Sequence, residues 1–265
     1  MTVICSTKSC LQRLSSLHPF APGCSFISVA IVAAALVMLY PGPCVSAAYS
    51  APVATDIEKA LIFRTGAVKS RVLSPVRKVL LIGDSFMQGY GPQLKSLLAR
   101  RGISVVDASR PATGLVICNV PTWYERFPRL MDRHQPQLVI CSLGANDTQN
   151  IRTGNKILVF GKNEWISEYE RRIMMLLTTA EQSDARFVWL GLPRMRSSAY
   201  DLKVKLVNSV CSRMMAVNGG RYIGISAAAG FNAAERADDG IHFVMKGYRC
   251  IAGVVVNRLD DDNIL

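Results

Sequence analysis

Two short segments far apart in the chain carry the residue types of a nucleophilic site. Ser85 stands in a Gly-Asp-Ser-Phe segment directly after the apolar run Val79–Ile82, and Asp239 lies three residues before His242. A serine between a buried strand and a helix exposes its hydroxyl and places its backbone N–H at the helix N-terminus. An aspartate at this spacing can hold one imidazole nitrogen while the other faces the serine. The two segments therefore predict an acid, a base and a nucleophile for acyl transfer.

Two further residues follow predicted strands. Asn146 comes after the apolar run Leu138–Leu143, where its carboxamide can direct an N–H at a developing oxyanion. Gly114 follows another apolar run, and a free backbone N–H there can point into the same crevice. Each residue also has a plainer interpretation, because Ser85 can cap a helix, Asn146 can end a turn and Gly114 can be an ordinary loop glycine.

The elements that must position these residues form an alternating pattern. Apolar runs typical of strands are separated by segments of helical period, and these runs are Val79–Ile82, Ser104–Ala108, Leu138–Leu143, Arg186–Gly191 and Arg221–Ile225. Strands that alternate with helices predict an α/β fold with a parallel sheet covered on both faces. Ligands bind such sheets at the carboxyl ends of the strands. Ser85 and Asn146 follow strands, and Asp239 and His242 lie in the loop before the last helix, so we expect all four at one edge.

The order of Ser85, Gly114, Asn146 and His242 resembles the four sequence blocks of the SGNH/GDSL hydrolase superfamily. The resemblance runs from Lys78 to Tyr248. It is closer to a branch of exported bacterial SGNH proteins of mostly unassigned substrate, on account of further residues: Phe86, Thr113, Leu115, Trp165, Tyr169, Arg172, Phe243, Gly247 and Tyr248.

The resemblance implies a fold and a set of roles. The fold would be a three-layer, flavodoxin-like α/β/α arrangement with a parallel sheet of about five strands. Ser85 would be the nucleophile, His242 the general base and then acid, and Asp239 its orienting residue. The oxyanion hole would combine the backbone N–H groups of Ser85 and Gly114 with the side chain of Asn146. No metal or organic cofactor is implied.

Members of this superfamily cleave carboxylic esters and thioesters, many of them as acetyl esterases on carbohydrate, and some transfer acyl groups. The resemblance therefore predicts a serine esterase acting on a small acylated molecule or an acylated envelope glycan. An acyltransferase on envelope glycan and a non-catalytic envelope-binding protein are the alternatives.

Two acidic neighbours leave room for other assignments. Asp238 adjoins Asp239, so either carboxylate can be the partner of His242. Asp84 precedes the nucleophile, and we expect it to cap the following helix instead of acting as a catalytic acid. Phe86 stands where the family has leucine, and we expect it to pack inward.

The net charge of +12 indicates acidic partners, such as anionic envelope polymers or lipid headgroups, or simply a solvated basic surface. Arg194 and Arg196 follow the fourth strand, where they can bind an acidic substrate or form a solvated rim. We do not expect nucleic acid as a partner, because the chain has no basic-aromatic motif and its first residues, described next, predict export.

Residues 1–47 have the pattern of an export segment. Lys8 and Arg13 precede the uncharged run Phe26–Tyr40, and small residues follow it. That run of about 15 residues is shorter than the roughly 20 of a membrane-spanning helix. We predict a signal peptide cleaved after Ala47, with an uncleaved N-terminal anchor or a buried core helix as alternatives. Either of the first two makes the protein periplasmic, or anchored in the inner membrane and facing the periplasm.

The remaining chain divides into residues 48–75, predicted to be a flexible arm, and residues 76–265, predicted to be the SGNH hydrolase domain. Four cysteines of this domain are expected to be small buried hydrophobic residues instead of disulfide partners: Cys118, Cys141, Cys211 and Cys250.

Overall fold

The structure is a computed structural model that describes residues 74–117, 122–225 and 236–265. The predicted export segment, most of the predicted arm and Cys118 lie outside the described residues. Ser70–Leu265 forms one compact unit. No helix among the residues that the structure describes is long and apolar enough to cross a membrane.

A parallel sheet of five strands forms the middle layer. Its strands are β1 (Lys78–Gly83), β2 (Ser104–Asp107), β3 (Leu138–Ser142), β6 (Arg186–Leu190) and β7 (Arg221–Ile223). They lie in the order β2-β1-β3-β6-β7. The two remaining strands, β4 (Ile151–Thr153) and β5 (Lys156–Leu158), pair as an antiparallel hairpin outside this sheet.

Helices connect the strands of the sheet. Within the described residues they are α1 (Ser85–Ala99), α2 (Trp123–His134), α3 (Asn163–Gln182), α4 (Ser198–Val217) and α5 (Met245–Asp261). β3 is buried along its whole length, which explains its continuous apolar sequence. The predicted three-layer α/β/α fold and all five predicted strands are confirmed.

The strand order explains where the site lies. The chain runs from β1 outward to β2 and then returns to β3 on the other side of β1. The direction of winding therefore reverses between β1 and β3, and the carboxyl ends of these two strands are where a sheet of this kind binds its ligands. Ser85 follows β1 there, and Asn146 lies in a 3-10 turn, Ala145–Asp147, directly after β3.

Two features differ from the sequence-based expectations. The hairpin β4–β5 and helix α2 are elements that the apolar runs did not single out, and α2 carries an internal proline, Pro128. Cys141 and Cys211 are buried as predicted, but Cys250 is exposed, so its predicted burial is wrong. Its neighbours Ile251 and Ala252 face the core, and one helical step of about 100° turns Cys250 to solvent.

Candidate active site

Ser85 is the first residue of α1, and its neighbours explain how it is presented. Asp84 is the helix N-cap, and its carboxylate accepts the backbone N–H of Phe86 at 2.9 Å. Asp84 is therefore the cap, as predicted, and the hydroxyl of Ser85 is left for another partner. Gly83 allows the tight turn, because a Cβ there would lie 2.5 Å from the carbonyl oxygen of Ser142. Phe86 is fully buried, as expected.

The structure brings Ser85, His242 and Asp239 into one hydrogen-bonded chain. Ser85 Oγ lies 2.8 Å from His242 Nε2, and His242 Nδ1 lies 2.6 Å from Asp239 Oδ2. With the proton on Nδ1 donated to Asp239, Nε2 accepts from the serine hydroxyl. The ring of Phe86 lies 5.2 Å from the imidazole, centroid to centroid, and closes one side of it. This geometry can transfer a proton from serine to histidine.

Asp239 is held in the charged form needed to orient an imidazole. Its Oδ1 accepts the backbone N–H groups of Ile241 at 2.8 Å and His242 at 2.9 Å. The hydrogen bond from His242, followed by the one from Ile241, lowers the pKa of Asp239 to about 2. Asp238 has an exposed side chain, and its backbone carbonyl accepts from Arg196. Of the two adjacent acids, Asp239 is the one that lies against His242.

The segment from Arg236 to Phe243 folds back on itself, and Arg196 holds it by hydrogen bonds. Arg236 and Phe243 form an isolated antiparallel bridge. The guanidinium of Arg196 donates to the carbonyls of Asp238 at 2.8 Å and Ala237 at 3.3 Å, and its backbone N–H donates to Gly240 at 3.0 Å. Arg196 therefore holds the backbone of the segment that carries the acid and the base.

A glycine at position 240 allows the close contact with Arg196 for two reasons. Its φ of +71° is in the left-handed region, and a Cβ there would lie 2.7 Å from Cβ of Arg196. Arg194 also has protein partners, because its Nε donates to Asp201 Oδ2 at 2.8 Å. Substrate binding by Arg194 and Arg196 stays a prediction, but both guanidinium groups already bind protein oxygens.

The predicted oxyanion residues lie at the facing ends of two loops. Asn146 Nδ2 donates to the carbonyl of Thr113 at 2.9 Å, next to Gly114 in the chain. The other oxygen near Asn146 Nδ2 belongs to Asp84 at 3.5 Å, too far for a strong hydrogen bond. The second amide hydrogen is thus the one that an oxyanion would take. Ser85 has no acceptor for its N–H within its own helix, because it is the first helical residue.

A buried acid lies directly behind these loops. Asp147 is completely buried, and its Oδ1 accepts the backbone N–H of Val116 at 2.8 Å. Its Oδ2 accepts the hydroxyl of Tyr169, from α3, at 2.9 Å. Burial raises the pKa of Asp147. Burial also raises the pKa of Asp84 to about 7, and the nearby charge of Asp147 contributes.

The sequence assigned no role to α3 in this site. The signal was present, however, because Trp165, Tyr169 and Arg172 recur at helical spacing and each combines a long body with a polar tip. Trp165 Nε1 donates to the carbonyl of Gln149 at 2.8 Å, just beyond the turn of Asn146. The described part of the chain contains no group of three or more His, Cys, Asp or Glu that could hold a metal ion.

Comparisons with known proteins agree with this architecture. TesA has 19% identity and a TM-score of 0.54, with 69% of this chain and 98% of that chain covered. Est24, a carbohydrate acetylesterase from Sinorhizobium meliloti, has 16% identity and a TM-score of 0.54, with 70% of this chain and 99% of that chain covered. A GDSL-like lipase from Bacteroides thetaiotaomicron has 14% identity and a TM-score of 0.53, with 70% and 89% covered. A comparison with curated proteins gave no match.

The family model described as "Protein of unknown function (DUF459)" matches residues 78–258, more than half of the chain. The resemblance to SGNH/GDSL hydrolases found in the sequence is confirmed by the fold. The chain therefore belongs to the DUF459 family and has the three-layer fold of the SGNH/GDSL hydrolases.

Proposed function

We propose that this protein is a serine esterase that hydrolyses carboxylic esters through an acyl-enzyme on Ser85. The observation that carries the proposal is the chain of contacts from Ser85 Oγ to His242 Nε2, at 2.8 Å, and from His242 Nδ1 to Asp239 Oδ2, at 2.6 Å. A nucleophile, a base and an orienting acid in hydrogen-bond reach of one another are what acyl transfer requires.

In the first half of the reaction, Ser85 Oγ attacks the ester carbonyl carbon while its proton passes to His242 Nε2. The N–H groups of Ser85 and Gly114 and the amide hydrogen of Asn146 that is not bound to Thr113 stabilise the negative carbonyl oxygen. The bond to the alcohol then breaks, and His242 gives its proton to the leaving oxygen. In the second half, water transfers a proton to His242, attacks the acyl carbon and releases the carboxylic acid, and Ser85 regains its proton.

Turnover by the purified full chain with p-nitrophenyl acetate tests this reaction. Ser85→Ala should lower kcat/KM at least about 1,000-fold, because the nucleophile is lost while the fold is kept. Electrospray mass spectrometry of the wild-type protein mixed rapidly with substrate should detect the mass of an acetyl adduct that Ser85→Ala does not form. Equal turnover by the two proteins would refute the role of Ser85.

We further propose an O-acylated envelope glycan as the substrate. The side chains of His242 and Asp239 keep 34% and 46% of their surface exposed within the described structure. A polymeric substrate can reach an acid and a base this close to the surface. A substrate with a long acyl chain needs a deep apolar pocket instead. The net charge of +12 favours an anionic polymer, and Est24, which is similar in fold, is named as a carbohydrate acetylesterase.

Acetate release from acetylated oligosaccharides should therefore exceed hydrolysis of p-nitrophenyl octanoate, with Ser85→Ala as the blank. A preference for the octanoate ester would contradict a glycan substrate and indicate an acyl-chain pocket. Appearance of the acyl group on an added sugar acceptor instead of as free acid would identify an acyltransferase.

We also propose export to the periplasm, supported by the basic start and apolar run within residues 1–47. N-terminal sequencing of the protein from its natural host tests this proposal. A mature terminus at Ala48 is the expected result, whereas an intact Met1 in the membrane fraction would indicate a retained anchor.

A further inference from the structure

We propose that Tyr169 and Arg172 of helix α3 are positioning residues for the oxyanion hole. They act through Asp147 and through the backbone of Leu115, and neither touches the substrate. This inference rests on the proposed function, because it takes Gly114 and Asn146 to be the groups that bind the oxyanion.

Asp147 connects the two loops that supply those groups. It directly follows Asn146, and its Oδ1 accepts the N–H of Val116, two residues beyond Gly114, at 2.8 Å. It also packs against Gly114 so closely that a Cβ there would lie 2.1 Å from Asp147 Oδ1. Any shift of this carboxylate would therefore move both the Gly114 loop and the turn of Asn146.

Tyr169 fixes the other oxygen of this carboxylate. Its hydroxyl donates to Asp147 Oδ2 at 2.9 Å, and both side chains are completely buried. The ring of Tyr169 stacks on that of Trp165 at 4.8 Å, which limits its movement. Tyr169 is the side-chain donor to Asp147 among the described residues. A buried acceptor that loses such a donor keeps its desolvation cost, so the carboxylate would shift toward another partner.

Arg172 fixes the Gly114 loop from the same helix. Its Nη1 donates to the carbonyl of Leu115 at 2.6 Å, and its Nε donates to Glu168 Oε1 at 2.7 Å. Only 5% of the Arg172 side chain is exposed. Because both sides of the guanidinium are bound, the carbonyl of Leu115, adjacent to Gly114, has a defined position.

Because these contacts act on the oxyanion donors, their loss should affect the transition state more than the bound ester. Oxyanion donors act at 2.7–3.1 Å from the charged oxygen, and a displacement of about 1 Å can cost roughly 100-fold in rate. The ground-state ester makes much weaker use of these donors. Loss of a positioning residue should thus lower kcat far more than it raises KM.

The chain offers a matched control for each variant. Tyr169→Phe is compared with Tyr90→Phe, because Tyr90 is also fully buried but its hydroxyl has no partner among the described residues. Arg172→Lys is compared with Arg171→Lys, because Arg171 binds the same Glu168 but is exposed, and its hydrogen bonds among the described residues go to other residues of α3.

The measurements are kcat and KM for p-nitrophenyl acetate and the inhibition constant of phenylboronic acid, which forms a tetrahedral adduct with a reactive serine. Tyr169→Phe and Arg172→Lys should each lower kcat roughly 10-fold to 100-fold. The inhibition constant should rise by the same factor, and KM should change less than about twofold. Both control variants should keep wild-type values. Circular dichroism melts set an assay temperature below the onset of unfolding for every variant.

Wild-type kcat in Tyr169→Phe, or a lower kcat with unchanged boronic acid affinity, would overturn the inference. If Arg172→Lys does not fold, Tyr169→Phe alone tests the inference, because the change from Tyr to Phe removes a single oxygen atom. Failure of the proposed function gives a different result, since the wild type would then show no turnover or Ser85→Ala would retain it in full.

Discussion

The carboxylate of Asp239 uses its two oxygen atoms for different purposes. Oδ1 accepts the backbone N–H groups of Ile241 and His242 and so shapes the turn, whereas Oδ2 accepts the imidazole N–H at 2.6 Å. One residue therefore builds the loop and orients the base. All these partners lie within three residues of Asp239, which is why spacing alone predicted the pair.

Asp239→Asn should lower kcat/KM by roughly 1,000-fold to 10,000-fold. Its side-chain oxygen can still accept the two backbone N–H groups, so the turn should survive. The other atom would become an amide donor, which favours the imidazole tautomer with a proton on Nε2 and prevents it from accepting the proton of Ser85.

Asp238→Asn is the control, because that residue contributes its backbone carbonyl to Arg196 and asparagine keeps this carbonyl. Its kcat/KM should stay within about twofold of wild type. If Asp238→Asn were instead the slower variant, the orienting acid would be Asp238.

The packing of helix α1 on helix α5 decides whether the nucleophile and the base come into contact. α1 begins at Ser85, and α5 begins three residues after His242. Gly89 of α1 lies against the ring of Tyr248 of α5, where a Cβ would be 2.1 Å from Cε1. The rings of Tyr90 and Tyr248 also meet at 5.3 Å. The separation of these two helices thus determines the distance from Ser85 to His242.

Gly89→Ala should lower the free energy of unfolding by about 1–3 kcal/mol, because the methyl group must displace the buried ring of Tyr248. It should also reduce kcat/KM, because the same displacement separates the starts of the two helices. Urea unfolding and ester hydrolysis, measured on one preparation, test both effects.

Gly253 of α5 is the matched control, since it is also helical but a Cβ there meets no atom within 4 Å. Gly253→Ala should raise the free energy of unfolding by about 0.5–1 kcal/mol through helix propensity and leave kcat/KM unchanged. If both substitutions stabilised the protein equally, α1 and α5 would not be closely packed at Gly89.

The folding stability of the protein should depend on pH, because Asp84 is a buried acid beneath the site. The pKa of Asp84 is about 7 in the folded protein, against an ordinary value of 3.8. Between these two values the folded state holds a proton that the unfolded state has released. The free energy of unfolding contributed by Asp84 therefore falls as the pH rises from about 4 to about 7.

Asp84→Asn should remove this contribution, because asparagine is neutral at both ends of the range and can still cap α1. We expect the Tm of the variant to exceed that of the wild type at both pH values, by roughly 5–10 °C more at pH 8 than at pH 5, because most of the Asp84 contribution is lost between them. Differential scanning calorimetry at the two pH values measures the difference.

Asp132→Asn, on the exposed face of α2, should leave the Tm unchanged at both pH values. A Tm difference between Asp84→Asn and the wild type that is the same at pH 5 and pH 8 would show that Asp84 does not titrate in this range.

Residue types at short spacing were enough to predict the alternation of strands and helices, the place of Ser85 after β1 and the local link between Asp239 and His242. These features depend on interactions between near neighbours: apolar periodicity, a helix cap and an aspartate turn. Such interactions require particular residue types at short spacing, and so the fold class and the acid, base and nucleophile were predictable. Cys250 was misjudged because its helical face, not its neighbours in sequence, decides its exposure.

The groups that support that site come from elements remote in sequence and were not predictable in this way. Arg196 binds the backbone of the segment that carries Asp239. Helix α3 binds Asp147 through Tyr169 and the Gly114 loop through Arg172. The sequence did not assign any of these contacts. Ser85 and His242 themselves are 157 positions apart, and helix packing sets their 2.8 Å contact. Such distances result from the close packing of elements remote in sequence, and a short contact between remote residues has no short-range pattern to reveal it.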